Sequence, residues 1–196
     1  MTTEIEYHDN RKEQTIVSFT GIGHGLGAIQ KNEFFRLTDQ AFNVLFVKDK
    51  SRSWYNKLDV EQIRSYLGDT SAITIGNSMG AFHAAMFALD HPVEKPISFA
   101  VQYSIHPEVV PFDARYREYA EAVDDWKYRQ LEFNDTTQYH FISGDGRIEV
   151  KHLDMIPDRD NIHKTVIRRA GHKVAKKLKE QGCLYSVIED ILAQPV

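Results

Sequence analysis

The stretch SAITIGNSMGAFHAAMFAL, residues 71–89, decides the fold. Residues 71–75 form a short run rich in β-branched and apolar side chains, the length and content of a buried strand. Residues 81–89 are apolar apart from His83, the pattern of a helix buried on every side. Between them lie Gly76, Asn77, Ser78, Met79 and Gly80, which spell G-x-S-x-G. A strand that turns straight into a helix crowds two backbones together, so Gly76 and Gly80 must be small. The same turn pushes the Ser78 hydroxyl out at the carboxyl end of the sheet. The plainer alternative is a glycine-rich connection in which Ser78 only caps a helix. The apolar strand before it and the apolar helix after it favour a nucleophile.

Working outward, apolar runs and helical patterns alternate. Strands are expected at 14–20, 42–47, 97–103, 138–143 and 165–168, besides 71–75. Helical spacing is expected at 26–40, 59–67, 111–131, 172–180 and 184–192, besides 81–89. Asp59 stands where an N-cap belongs and Gly68 where a helix should stop. Strands alternating with helices predict a parallel sheet covered on both faces. The expected architecture is a three-layer α/β/α sandwich whose mostly parallel sheet has about six strands. No internal repeat or linker divides the chain, so a single domain over 1–196 is expected.

Composition narrows the function. At 196 residues, 42% hydrophobic and 27% charged, the chain is long enough to bury a core without a disulfide or metal staple. Its 24 basic and 28 acidic side chains leave a net charge of −4, which argues against sequence-independent nucleic-acid binding. Cys183 is the only cysteine, so neither a disulfide framework nor a multi-cysteine metal site can form. No apolar run approaches the roughly 18 residues that span a bilayer. The first residues, MTTEIEYHDNRKEQ, lack an apolar signal core, so no membrane association and a cytoplasmic location are expected.

A serine hydroxyl is a weak nucleophile and needs a base, which in turn needs an orienting acid. On a sheet of this kind the partners follow in the order serine, acid, histidine, each after a later strand. His172, in Ala170-Gly171-His172, follows the run TVIRR and precedes a helix, 94 residues beyond Ser78. Of the eight other histidines, His8 lies in the polar lead and none has a comparable place late in the chain. For the acid, Asp145 follows the run QYHFISG directly, within the turn Gly144-Asp145-Gly146, and ranks first. Gly-Asp-Gly is also simply good turn chemistry, so Glu149 remains the second choice and Asp154 the third. Oxyanion donors are expected from the backbone N–H of Met79 and from the glycine-rich loop after the first core strand, at Ile22 or Gly23.

These features resemble the α/β-hydrolase fold superfamily, and the resemblance spans residues 14–192. Its specific parts are the elbow at Ser78, the glycine-rich loop and Gly171-His172. The resemblance implies a compact serine esterase or acyl hydrolase that acts through an acyl-enzyme, with no cofactor and no metal. The chain departs from the family in having Thr20-Gly21 where a His-Gly pair is usual. Only a polar lead precedes residue 14, which implies a trimmed sheet.

Two rivals remain open on the sequence. Gly23-His24-Gly25-Leu26-Gly27-Ala28 fits a dinucleotide-binding loop, with Asp49 spaced to hold a ribose hydroxyl. A catalytically inactive hydrolase-like scaffold is the other. Residues 105–135 are a candidate lid or cap segment, and its aromatics, Tyr116, Tyr119, Trp126 and Tyr128, either line a pocket or pack onto the body. Trp54 and Tyr55 open at the same sheet edge and carry the same two readings. Lys173, Lys176, Lys177 and Lys179 read as a solvated helix face. So short a chain with so small a lid leaves little room for a large lipid pocket. The expected substrate is therefore a small-molecule acyl ester, with an acylated sugar as the guess from size.

Overall fold

The strand before Ser78 lies at the centre of a seven-stranded sheet of order β1-β3-β2-β4-β5-β6-β7. The computed structural model describes residues 3–23, 29–39 and 42–195. Its strands are β1 (Thr3–His8), β2 (Thr15–Phe19), β3 (Asn43–Asp49), β4 (Ala72–Asn77), β5 (Val93–Phe99), β6 (Tyr139–Gly144) and β7 (Ile162–Ile167). From β3 across to β7 every neighbouring pair is parallel. Parallel neighbours need crossovers, and these carry the helices onto both faces.

Alternation along the strands decides which side chain goes where. In β3, Leu45 and Val47 face one layer and Val44 and Phe46 the other. The first layer holds α1 (Val60–Leu67), the apolar α2 (Met79–Met86) and α4 (Arg147–Asp154). The second holds α5 (Val174–Glu180) and α6 (Leu184–Leu192), which bury Val174, Leu178, Leu184, Ile188 and Ile191. The caps of α1 follow the sequence: Asp59 accepts from the N–H groups of Glu61 and Gln62, and Gly68 ends the helix at φ 60°. Among the described residues, no helix is long and apolar enough to cross a membrane.

Three expectations need correction. The polar lead is not a tail: β1 pairs antiparallel with β3, with Ile5 and Tyr7 turned against the core and Glu4 bonded to Lys48 at 2.5 Å. An edge strand that shows one face to water carries only a short apolar alternation, and β1 brings the sheet of about six expected strands to seven. The helix expected at 26–40 is reduced, within the described residues, to one 3-10 turn at Phe35–Asp39. Phe34, at φ 58°, breaks any regular helix there, and residues 24–28 and 40–41 lie outside the described residues. The helix expected at 111–131 is only the five-residue α3 (Arg117–Glu121). Asp113 takes the backbone N–H and guanidinium of Arg115 into a local turn, and the rest is irregular chain that still buries Val123, Tyr128 and Leu131.

At Gly80 the two layers come so close that a Cβ would collide with the Phe19 carbonyl oxygen of β2. Backbone cannot yield as a side-chain tip can. Gly80→Ala is therefore expected to cost about 3 kcal/mol or more and to lower the melting temperature by roughly 6–12 °C. A thermal melt tests this, and an unchanged midpoint would show that β2 and α2 do not meet at Gly80.

Candidate active site

Ser78 sits alone between the end of β4 and the start of α2, at φ 56° and ψ −118°. A non-glycine residue at positive φ costs about 1–2 kcal/mol, and here the neighbours enforce it. The Ser78 N–H donates to the Phe99 carbonyl at 2.8 Å, and its own carbonyl accepts from Phe82 at 3.1 Å. A Cβ at Gly76 would strike the backbone of Gly80, so the turn itself requires glycine at 76, while β2 requires it at 80. Met79 opens α2, where backbone N–H groups lack a partner within the helix.

The loop after β2 comes against the elbow: a Cβ on Gly21 would stand 2.8 Å from the Asn77 carbonyl oxygen. The N–H of Gly21 is taken by Glu33 at 3.3 Å, and the carbonyl of Ile22 accepts from the Arg52 guanidinium at 3.1 Å. Gly23 follows at φ 115°. His24 to Ala28 lie outside the described residues.

His172 arrives on a 3-10 turn, Gly171–Lys173, directly after β7. This turn packs so tightly on the end of β6 that a Cβ on Gly144 would collide with the Gly171 backbone. Nε2 of His172 lies 3.0 Å from Ser78 Oγ. Two further groups crowd the same nitrogen, the Tyr116 hydroxyl at 2.9 Å and the Gln102 amide at 3.4 Å. Gln102, fully buried, also donates to Ser78 Oγ at 3.2 Å. A neutral imidazole nitrogen has one lone pair, so Ser78 and Tyr116 compete for it. Burial pushes the Tyr116 phenol above its ordinary range, against a hydrogen bond with Ser78 and the charge of Arg115.

Behind His172 the structure brings Glu149, not Asp145. Glu149 Oε1 is 3.5 Å from Nδ1, and its side chain is only 7% exposed. Its carboxyl is lowered to about 2, first by the hydrogen bond with His172; burial opposes this and Arg115 adds to it. Arg115 holds the same oxygen at 2.6 Å. The exposed carboxylate of Asp145 is lowered by the backbone N–H of Arg169 and then, after a small opposing effect of burial, by its own N–H and that of Ala170. It ties the turn after β6 to the end of β7. Asp154 is exposed at the far end of α4.

Sequence reasoning missed α4 itself, and with it the reason Glu149 points inward. The buried positions of that helix are Glu149, His152 and Leu153. Two of these three are polar, so no apolar stripe marks the helix. Gln102 also escaped notice, having no motif. Arg115 and Tyr116 were visible only as part of a lid.

Other expectations fall to packing. Trp54 and Tyr55 are fully buried, and the Tyr55 hydroxyl reaches the Thr20 and Val47 carbonyls. Trp54 packs behind Tyr116 at 5.1 Å between ring centroids. Asp49 is not free for a ribose. One oxygen accepts from the backbone and hydroxyl of Ser51, the other from the backbone and hydroxyl of Ser53 and the N–H of Tyr55. It builds the loop that holds Trp54 and Tyr55 at positive φ. Among the lysines, Lys177 ties down the Arg168 and Arg169 carbonyls, while Lys176 makes a solvated pair with Glu180. Among the described residues, no cluster of three or more histidine, cysteine or acidic residues could hold a metal.

No protein-family profile and no curated protein sequence matches the chain. Solved structures do. The chain is similar to a carboxylesterase of the thaumarchaeon Nitrososphaera gargenis, at a TM-score of 0.66 and 16% identity, over 97% of this chain and 94% of that one. It is similar to the capsule O-acetyltransferase of Neisseria meningitidis serogroup A, at 0.60 and 15%, over 96% and 91%. It is also similar to the carboxylesterase CesB of Bacillus subtilis, at 0.60 and 14%, over 99% and 88%. At such identities the likeness is one of architecture.

Proposed function

On the premise that this chain has the α/β-hydrolase fold, we propose that it is a serine hydrolase that cleaves or transfers the acyl group of a small ester through Ser78. The observation that carries this reading is the 3.0 Å approach of His172 Nε2 to Ser78 Oγ at a strained strand-to-helix turn, with a carboxylate behind the imidazole. With Nδ1 facing Glu149, the ring keeps its proton there and offers Nε2 as the base. Ser78 Oγ attacks the ester carbonyl as its proton passes to Nε2. The carbonyl oxygen becomes an oxyanion that the N–H groups of Met79 and of Ile22 or Gly23 would hold. The tetrahedral species collapses as Nε2 returns the proton to the leaving alcohol. Water, or an acceptor hydroxyl, then gives its proton to Nε2, attacks the acyl-enzyme and frees Ser78. In this reading Glu149 is the orienting acid. Each step moves one proton between oxygen and one nitrogen, so no cofactor is needed.

The neighbours' names support an ester or O-acyl substrate: two are carboxylesterases and the third is a capsule O-acetyltransferase. An acylated sugar remains the substrate class we favour for this chain. A fluorophosphonate probe, with the adduct located by mass spectrometry, tests the mechanism. The expected result is an adduct on Ser78 that is absent from His172→Ala. A folded protein that takes no probe would refute it.

The leaving alcohol and the attacking water must both approach His172 Nε2, where the Tyr116 hydroxyl now sits. Tyr116→Phe keeps the ring against Trp54 and removes the competing oxygen. Labelling of Ser78 is expected to accelerate by roughly two- to tenfold, the worth of one neutral hydrogen bond. An equal slowing would instead make the phenol a participant in the reaction.

A further inference from the structure

The segment between β5 and β6 delivers Asp113, Arg115 and Tyr116 onto the site within four residues. Tyr116 meets the base, and Arg115 meets the acid. Arg115 Nη1 donates to Glu149 Oε1 at 2.6 Å, while Nε and Nη2 donate to the two oxygens of Asp113 at 2.9 and 2.8 Å. Asp113 Oδ2 also accepts from His152 Nε2 at 2.9 Å, and both of these side chains are almost fully buried. His152 Nδ1 accepts the Tyr103 backbone N–H at 3.1 Å, which fixes the ring's proton on Nε2. His152 stands three residues after Glu149 on α4, so one helix face presents both to the same segment. Burial works against the Asp113 carboxylate, but the hydrogen bonds from His152 and Arg115 outweigh it and hold the group well below its ordinary range. Burial likewise opposes the Arg115 cation, and the bonds to Asp113 and Glu149 more than offset it.

Glu149 Oε1 is therefore shared unequally, with Arg115 at 2.6 Å and His172 Nδ1 at 3.5 Å. A guanidinium so placed keeps the carboxylate in one position beside the imidazole, yet its charge alone opposes formation of the imidazolium. The second carboxylate cancels that charge. We propose that Asp113 and Arg115 are positioning residues that together hold Glu149 beside His172 without a net charge, His152 locking Asp113 in place. The proposal rests on the functional reading above. Among the described residues, Arg115 and Tyr116 from the segment before β6 contact the Glu149–His172 pair, and Asp113 and His152 stand behind Arg115.

The test is a set of signs. Arg115→Gln removes a cation beside the imidazolium and leaves Asp113 negative. The acid limb of the pH profile for Ser78 labelling should move up by roughly half a pH unit or more. Asp113→Asn leaves Arg115 uncompensated and should move the limb down. Arg115→Lys keeps the charge and should stay close to the wild type. The same pH midpoints are read independently from the His172 imidazole resonance by NMR. A purely structural role would lower labelling at every pH and move no midpoint. Parallel shifts in Arg115→Gln and Asp113→Asn, or no shift in folded protein, overturn the proposal. If Asp113→Asn fails to fold, the contrast between Gln and Lys at 115 decides alone, and equal midpoints there overturn it. Wild-type protein that takes no probe, while its His172 resonance still responds to Arg115→Gln, would sink the serine-hydrolase reading and leave this one standing.

Discussion

Ser78→Ala is expected to reduce ester hydrolysis by about 10⁴-fold or more while leaving the protein folded. The hydroxyl is the only atom lost, and its partners are Gln102 and the site's own imidazole and phenol. The cost in stability should stay near the value of one hydrogen bond, about 1 kcal/mol. The strain at φ 56° is a property of the turn and persists with alanine. The measurement is hydrolysis of a short-chain aryl ester together with a thermal melt. A folded alanine variant that retains several percent of the activity would place the nucleophile elsewhere.

Glu149→Gln should be the second most damaging change, lowering turnover by about 10²- to 10⁴-fold. Two donors converge on Glu149 Oε1, the Arg115 guanidinium and the His172 ring. An amide oxygen in that place can still accept from both, but it is neutral and gives the forming imidazolium no opposing charge. Asp145→Asn should matter little, within roughly threefold, because Asn keeps an oxygen for the backbone N–H groups of Arg169 and Ala170. The paired variants, assayed on the same ester, settle the ranking. Asp145→Asn proving the more costly would restore the order read from sequence. A carboxylate is depressed here, so what its ionised form adds to stability is present above the ordinary carboxylate range and is lost as pH falls toward about 2.

The placement of these side chains shows how far a sequence can be read. Ser78 and His172, which the structure sets 3.0 Å apart, stood out because each follows a recognisable strand at a turn rich in glycine. Asp145 was ranked first by the same logic, yet position after a strand does not say which way a carboxylate points. Glu149 lies on a helix whose inward face is polar, and a helix that buries functional groups loses the apolar spacing by which helices are found. The edge strand β1 was missed for the opposite reason, since only Ile5 and Tyr7 mark its inner face. The loop between β5 and β6 looked helical by composition, but Asp113 turns its chain aside to meet Arg115. Contacts that join residues dozens of positions apart, such as Gln102 with Ser78, leave no trace in a local window.

The order of strands distributes the site unevenly. Ser78 hangs from β4 at the centre of the sheet, while His172 hangs from β7, which pairs with β6 alone and leaves Val166 half exposed. Three strand spacings, roughly 14 Å, separate the two supports. In the proposed mechanism the nucleophile is thus carried by a strand paired on both sides, and its base by one paired on a single side. Bringing the two together depends on the edge of the sheet, where the β6–β7 ladder, the Gly144–Gly171 contact and the Asp145 bonds to Arg169 and Ala170 hold the turn that carries His172.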